Sequence, residues 1–289
     1  MTLLGLLLAA GCALATNLAF LWKHKGAVAA PDVNMHQPLA SAAGLFKSKW
    51  WAIGFGVAIV GWVFHVGALA LAPLSLVQAV ISGGLVFLAV IADRWFGFSL
   101  GPRQWWGVAL TAAGLAFLGF TAQSSGGAHS SYSIAAMISF EGAMIAIGTL
   151  LIFSHKAQLQ LVKNRHGVEL GLAAGILFGV SDVAIKALSG TVPGDTLTLL
   201  GPWTLVALLA SIGAFYASAR GLQLGEGVSV IAVTSVGANV SAILGGIIVF
   251  GDPLGSDALA IVARSAAFAL VIAAAALTPA PMRAASRTA

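Results

Sequence analysis

Long apolar runs, separated by short polar stretches, repeat along the whole chain. Read in order, they fall at about 2–22, 50–72, 75–92, 104–121, 134–154, 169–188, 199–219, 228–250 and 256–277. Each is close to the ~20 apolar residues a helix needs to cross a bilayer, and none alternates with the period of two that marks a strand. The pattern predicts an all-α polytopic membrane protein with nine transmembrane helices. The third run is the shortest and follows a tight turn at Pro73.

The pattern also repeats internally. The stretch from Gly67 to Gly119 has a short turn, a long apolar run, a charged break at Asp93-Arg94 and a second apolar run, and the chain from Gly221 follows the same order. Laid on one another, Leu69 falls on Leu222, Leu71 on Leu224, Val77 on Val230, Ser82 on Ser235 and Gly84 on Gly237. The partner of the third span, the eighth, comes five places later, an odd offset, so the two repeats are inverted, and Asn17 of the first span can be laid on Asp182 of the sixth. The expected organisation is one transmembrane domain over 1–289. Its inverted-topology halves cover about 1–121 and 166–280 and are linked by the fifth span, 134–154. Transport sites tend to lie where such halves meet.

Charge supplies the orientation. Only 8% of the residues are charged and 59% are hydrophobic, whereas soluble domains carry about a quarter charged residues. With nine spans, every Lys and Arg outside the spans falls on one side, from Lys23, Lys25, Lys47 and Lys49 to Arg283 and Arg287. The positive-inside rule then places the N-terminus outside and the C-terminus in the cytoplasm. The net charge of +5 is accounted for by these loops and implies no nucleic-acid partner. The partners expected are the lipid bilayer and a small-molecule or cation substrate, with oligomeric state open. The N-terminal run lacks a basic n-region and is too long for a signal peptide. The single Cys12 excludes an intrachain disulfide. The Ala- and Gly-rich composition points to a bacterial plasma membrane.

Several local patterns resemble the drug/metabolite transporter (EamA-like) superfamily. They are the turn Ala70-Leu71-Ala72-Pro73, the break Phe250-Gly251-Asp252-Pro253-Leu254, the basic end Lys23-His24-Lys25-Gly26 of the first span, and Trp50-Trp51 at the start of the second. Nine spans with the N-terminus outside look most like the NIPA-like magnesium-transporter branch. The chain departs from the pattern after the third span, where Asp93-Arg94-Trp95-Phe96-Gly97 stands in place of a K-E-K-L-like break. The resemblance implies a transporter without a cofactor. It implies no agreed set of ligand residues.

Leaving aside Glu169 and Asp257 at the very starts of their spans, four charged residues lie inside predicted spans: Glu141, Asp182, Lys186 and Arg264. At a lipid-facing helix centre each costs about 2.5–3.5 kcal/mol, so they should face the interior. By helical rise, Glu141, Arg264 and His65 each lie about 12 Å from the outer end of their spans, and Asp182 roughly 10 Å. The layer reads equally as a substrate or proton site and as an internal ion-pair lock, with Arg264 on Glu141 and Lys186 on Asp182, four residues away on the same face. Asn17, Gln78 and Asn239 join the candidates as neutral polar groups. Glu141 and Asp182 are the candidate metal ligands. Mg²⁺ needs several oxygens, and the adjacent cations would suit a zwitterionic or amphiphilic solute better.

The leading expectation is a secondary transporter working by alternating access, with Mg²⁺ or another divalent cation as one candidate solute. The alternatives are an exporter of an amino acid, metabolite or drug-like amphiphile, and a non-transporting membrane scaffold. The motifs H-E-x-x-H, G-x-S-x-G and G-x-x-x-x-G-K-[ST] are absent, so neither an enzyme nor an ATP-driven pump is expected.

Overall fold

The structure is a computed structural model, and it describes residues 2–34, 37–84, 91, 98–99, 102, 106–107, 109–110, 113–114, 117, 131–153, 166–190, 201–225, 227–252, 257–276 and 282–283. Its helices are α1 (Thr2–Val28), α2 (Pro38–Phe46), α3 (Lys49–Leu71), α4 (Leu74–Ser82), α5 (Ile134–Phe153), α6 (His166–Ser189), α7 (Pro202–Leu224), α8 (Gly227–Ile248) and α9 (Ala258–Ala276). Among the described residues, six helices are long and apolar enough to cross a membrane: α1, α3, α5, α6, α7 and, from Val230, α8. They coincide with the predicted spans one, two, five, six, seven and eight. Helix α9 carries a shorter apolar stretch, Ala258–Leu270. The third span begins as α4, and its remainder, with most of the fourth span, lies outside the described residues. Phe98–Ser99 pairs antiparallel with Met282–Arg283.

The apolar clusters show how the helices run. At one end of the bundle Ala9, Leu69, Met137, Val183, Ala207 and Ala242 pack together. At the other, Phe20, Ala27, Trp51, Ala219 and Val230 do so. Successive long helices therefore alternate in direction, as a polytopic chain with short connections requires. Helix α1 lies along α3, α6 packs against α7 and α8, and α4 lies against α8 and α1.

Gly171, Gly175 and Gly179 put a side-chain-free stripe on α6 where α8 crosses it. A Cβ on Gly175 would meet the Thr234 carbonyl, and one on Gly179 would meet Ser241. Small residues at this spacing let helix backbones approach closely.

Two features depart from the sequence reading. Helix α1 continues to Val28 rather than ending near residue 22, since no Pro interrupts it before Pro31. Helix α2 was not foreseen. It is only nine residues long and starts on Pro38 at its first turn, the position where proline's missing N–H costs nothing.

The break between α3 and α4 uses two charges. Lys186 is fully buried, and its ammonium donates to the carbonyls of Leu69 (2.8 Å) and Ala72 (2.9 Å) at the end of α3. Asp252 accepts the Ser75 N–H at the start of α4, 2.7 Å away. A cation thus sits on a helix C-terminus and an anion on a helix N-terminus, as both helix dipoles favour. The expected Lys186–Asp182 pair does not form, because the orphan carbonyls at the Pro73 break take the ammonium instead.

Candidate functional site

A cavity of about 390 Å³ opens between α1, α3, α4, α6, α7 and α8. On α1 it is lined by Cys12, Thr16, Phe20 and Lys23, spaced so that they share one helix face. Its polar end is built around Asp182. His65 Nε2 of α3 lies 3.0 Å from Asp182 Oδ1, and the Gln78 amide of α4 donates to Asp182 Oδ2 over 2.8 Å. The other ring nitrogen of His65 is 3.8 Å from Cys12 Sγ. Ser211, Thr234, Ser235 and Asn239 add hydroxyl and amide groups to the lining. A carboxylate accepts at more than the two positions used here, so Asp182 retains capacity towards the cavity.

Much of the rest of the wall is aromatic. Phe20, Trp51, Phe55, Trp62, Phe178 and Phe215 face the space. Trp51 and Phe55 both meet Phe215 edge to face, with centroids 5.7 Å and 6.2 Å apart. Lys23 lies at this end, with its ammonium 4.2 Å from the centroid of the Phe20 ring.

Of the eight candidate residues from the sequence, the cavity gathers His65, Gln78, Asp182 and Asn239. The other four lie elsewhere. Lys186 closes the α3–α4 break. Asn17 is buried, donates to the Ala13 carbonyl at 2.8 Å and packs beside Gly84, just past the end of α4. Glu141 is buried on α5, near enough to Asp182 for their charges to interact. Its carboxylate has no hydrogen-bond partner among the described residues, so the expected Arg264–Glu141 pair does not form. Arg264 is buried on α9, which packs against α8 and α4. No group of three His, Cys, Asp or Glu side chains suited to a metal ion occurs among the described residues.

The sequence reading missed Lys23 and the aromatic wall. Lys23 reads as one of several loop charges until α1 is seen to extend past it. The aromatics come from four helices, and no local spacing connects them.

The chain is 26% identical over 250 residues to a protein of Arabidopsis thaliana named "Probable magnesium transporter NIPA9", an alignment covering 82% of this chain and 71% of that protein. This likeness supports the NIPA-like relationship read from the sequence. No family profile matches the chain, and no solved structure matches it.

Proposed function

We propose that this relative of a plant protein named as a magnesium transporter is itself a secondary transporter. It would move a small solute across a plasma membrane by alternating access, with two inverted halves rocking around the cavity. The observation that carries this reading is the cavity itself. It holds an acid–histidine pair, Asp182 and His65, within a helical bundle, and residues of both proposed halves line it. Ionisable groups at membrane depth are expensive and functional by default. The packing of α4 against α8, the two elements that correspond in the repeat, supports the inverted arrangement, and the basic loops support an N-terminus outside.

Asp182 is the residue on which a cation or proton would bind in this scheme, with Gln78 and His65 fixing its carboxylate. The relative's name makes Mg²⁺ the first ion to test. Mg²⁺ keeps most of its waters and usually takes only one or two carboxylates, so Asp182, with Gln78, Asn239, Thr234 and Ser235 contacting the waters, would be a sufficient lining. Glu141 stands behind Asp182 as a second acid.

The test is flux in proteoliposomes loaded with a Mg²⁺ indicator, with and without a pH gradient, for the wild type and Asp182→Asn. The expected outcome is saturable flux that falls at least about tenfold in Asp182→Asn, with a monodisperse folded protein in both cases. Equal flux in the two proteins would remove Asp182 from the mechanism. Absence of flux for divalent ions and organic solutes alike would remove the transport reading.

A further inference from the structure

Lys23 lines the cavity and is half-buried. A lysine near the end of a membrane helix ordinarily runs its stem outward and places its charge at the interface. Lys25 does this: it is exposed, and its ammonium sits 3.8 Å from the Trp50 ring at the rim. Lys23 packs instead over Gly54 of α3, where an added Cβ would meet its stem at 2.9 Å, and it lines the cavity together with Phe20, Trp51, Phe55 and Phe215. An ammonium offers three donors. Among the described residues no oxygen accepts from it, and its ammonium lies over the face of Phe20 at 4.2 Å. In this half-buried side chain, a cation–π contact of about 0.5–2 kcal/mol leaves the ammonium's donors open to an anion.

We propose that this end of the cavity is an anion subsite, in which Lys23 holds a carboxylate or phosphate group of an organic solute whose apolar body stacks on Phe20, Trp51, Phe55 and Phe215. The proposal rests on the transport reading only in taking the cavity as the solute's site. Lys23 and Asp182 are not two poles of one compact zwitterion. Cys12, which touches His65, and Lys23 are separated by about 16 Å along α1, far more than the span between the charges of a simple amino acid. The solute's anion therefore belongs to the Lys23 end, and Asp182 with His65 is left free to carry a coupling cation. A bare divalent ion makes no use of this end, since Lys23 repels it and the aromatic walls offer it no oxygen.

The experiment is ligand-induced thermal stabilisation of the purified protein in detergent, with phenylacetate, phenyl phosphate, benzylammonium and MgCl₂ as probes. The proteins are the wild type, Lys23→Gln, Lys23→Arg and, as a surface control, Lys25→Gln. Binding to the native state raises Tm by mass action. Stabilisation by one or both anionic probes is expected, and which of the two responds identifies a carboxylate or a phosphate solute. In Lys23→Gln the Kd is expected to weaken about tenfold, with Lys23→Arg close to wild type and Lys25→Gln unchanged. The proposal is overturned if the anions bind Lys23→Gln as well as wild type, if only benzylammonium or Mg²⁺ binds, or if no probe binds. Anion binding without proteoliposome flux would sink the transport reading and leave the subsite standing.

Discussion

At Lys186 the ammonium group is withdrawn from lipid and water alike, and two α3 carbonyls together with the nearby Asp252 charge offset the cost. Asp182 has the opposite character: its partners are side chains, and it faces open space. The two residues therefore fail in different ways when replaced. Lys186→Met leaves the Leu69 and Ala72 carbonyls without their donor and takes a cation from beside Asp252, a loss of about 1.5–3 kcal/mol for hydrogen bonds to a charged group. A clear drop in Tm is expected, with flux at permissive temperature close to wild type. Asp182→Asn keeps the shape and one acceptor, so Tm should hold while flux is lost. A pair of Tm and flux measurements separates the two roles. If Lys186→Met lost flux at unchanged Tm, the ammonium would belong to the transport machinery and not to the helix break. The sequence shows both charges in one layer but not this division, because a residue's depth says nothing about which neighbour claims it. The carbonyls at the Pro73 break outcompete a carboxylate one helical turn away.

Among the elements, α6 was the most legible. Its G-x-x-x-G-x-x-x-G stripe announces close packing before any partner is known, and the structure supplies α8 as that partner. Gly175→Leu would drive a side chain into the α8 backbone at Thr234. Overpacking of this kind commonly costs about 1–3 kcal/mol, and more where backbone must move. Loss of a monodisperse peak in size-exclusion chromatography is expected. Gly56→Ala serves as the control, since nothing lies within 4 Å of a Cβ placed there, and it should elute as wild type. Equal behaviour of the two variants would contradict the packing. Less legible were α2 and the end of α1. A nine-residue helix is too short to carry a period, and Lys23 to Lys25 look like a loop because charges usually mark one. What the pattern lacks is that Gly26 and Gly54 allow α3 to press against this turn of α1, which holds the helix together beyond the apolar run.

For the whole molecule, the alternation of helix directions was readable from parity and loop charge alone, and the two apolar clusters agree with it. The closure of the basic-loop end was not readable, because it joins residues nearly two hundred positions apart. There the segment after α1 is tied to the end of α7. Gln223 accepts from the Val33 N–H at 2.9 Å and donates to the Pro31 carbonyl at 2.9 Å, Arg220 meets Asp32 at 3.2 Å, and the Tyr216 hydroxyl donates to the Pro38 carbonyl at 2.8 Å. The exposed Asp32–Arg220 pair contributes little on its own, so Gln223 is the centre of the latch. Alternating access requires that each end of the bundle open in turn, and these bonds join the two proposed halves directly above the Lys23 end of the cavity. Gln223→Leu should therefore populate the form open at this end. Cys12, the one cysteine in the chain and part of the cavity lining, reports it without further engineering. In inside-out vesicles, a membrane-impermeant maleimide should label Cys12 several-fold faster in Gln223→Leu than in wild type. Labelling at the wild-type rate would mean that the latch staples the loop without gating the cavity, and the moving closure would then have to be sought elsewhere in the bundle.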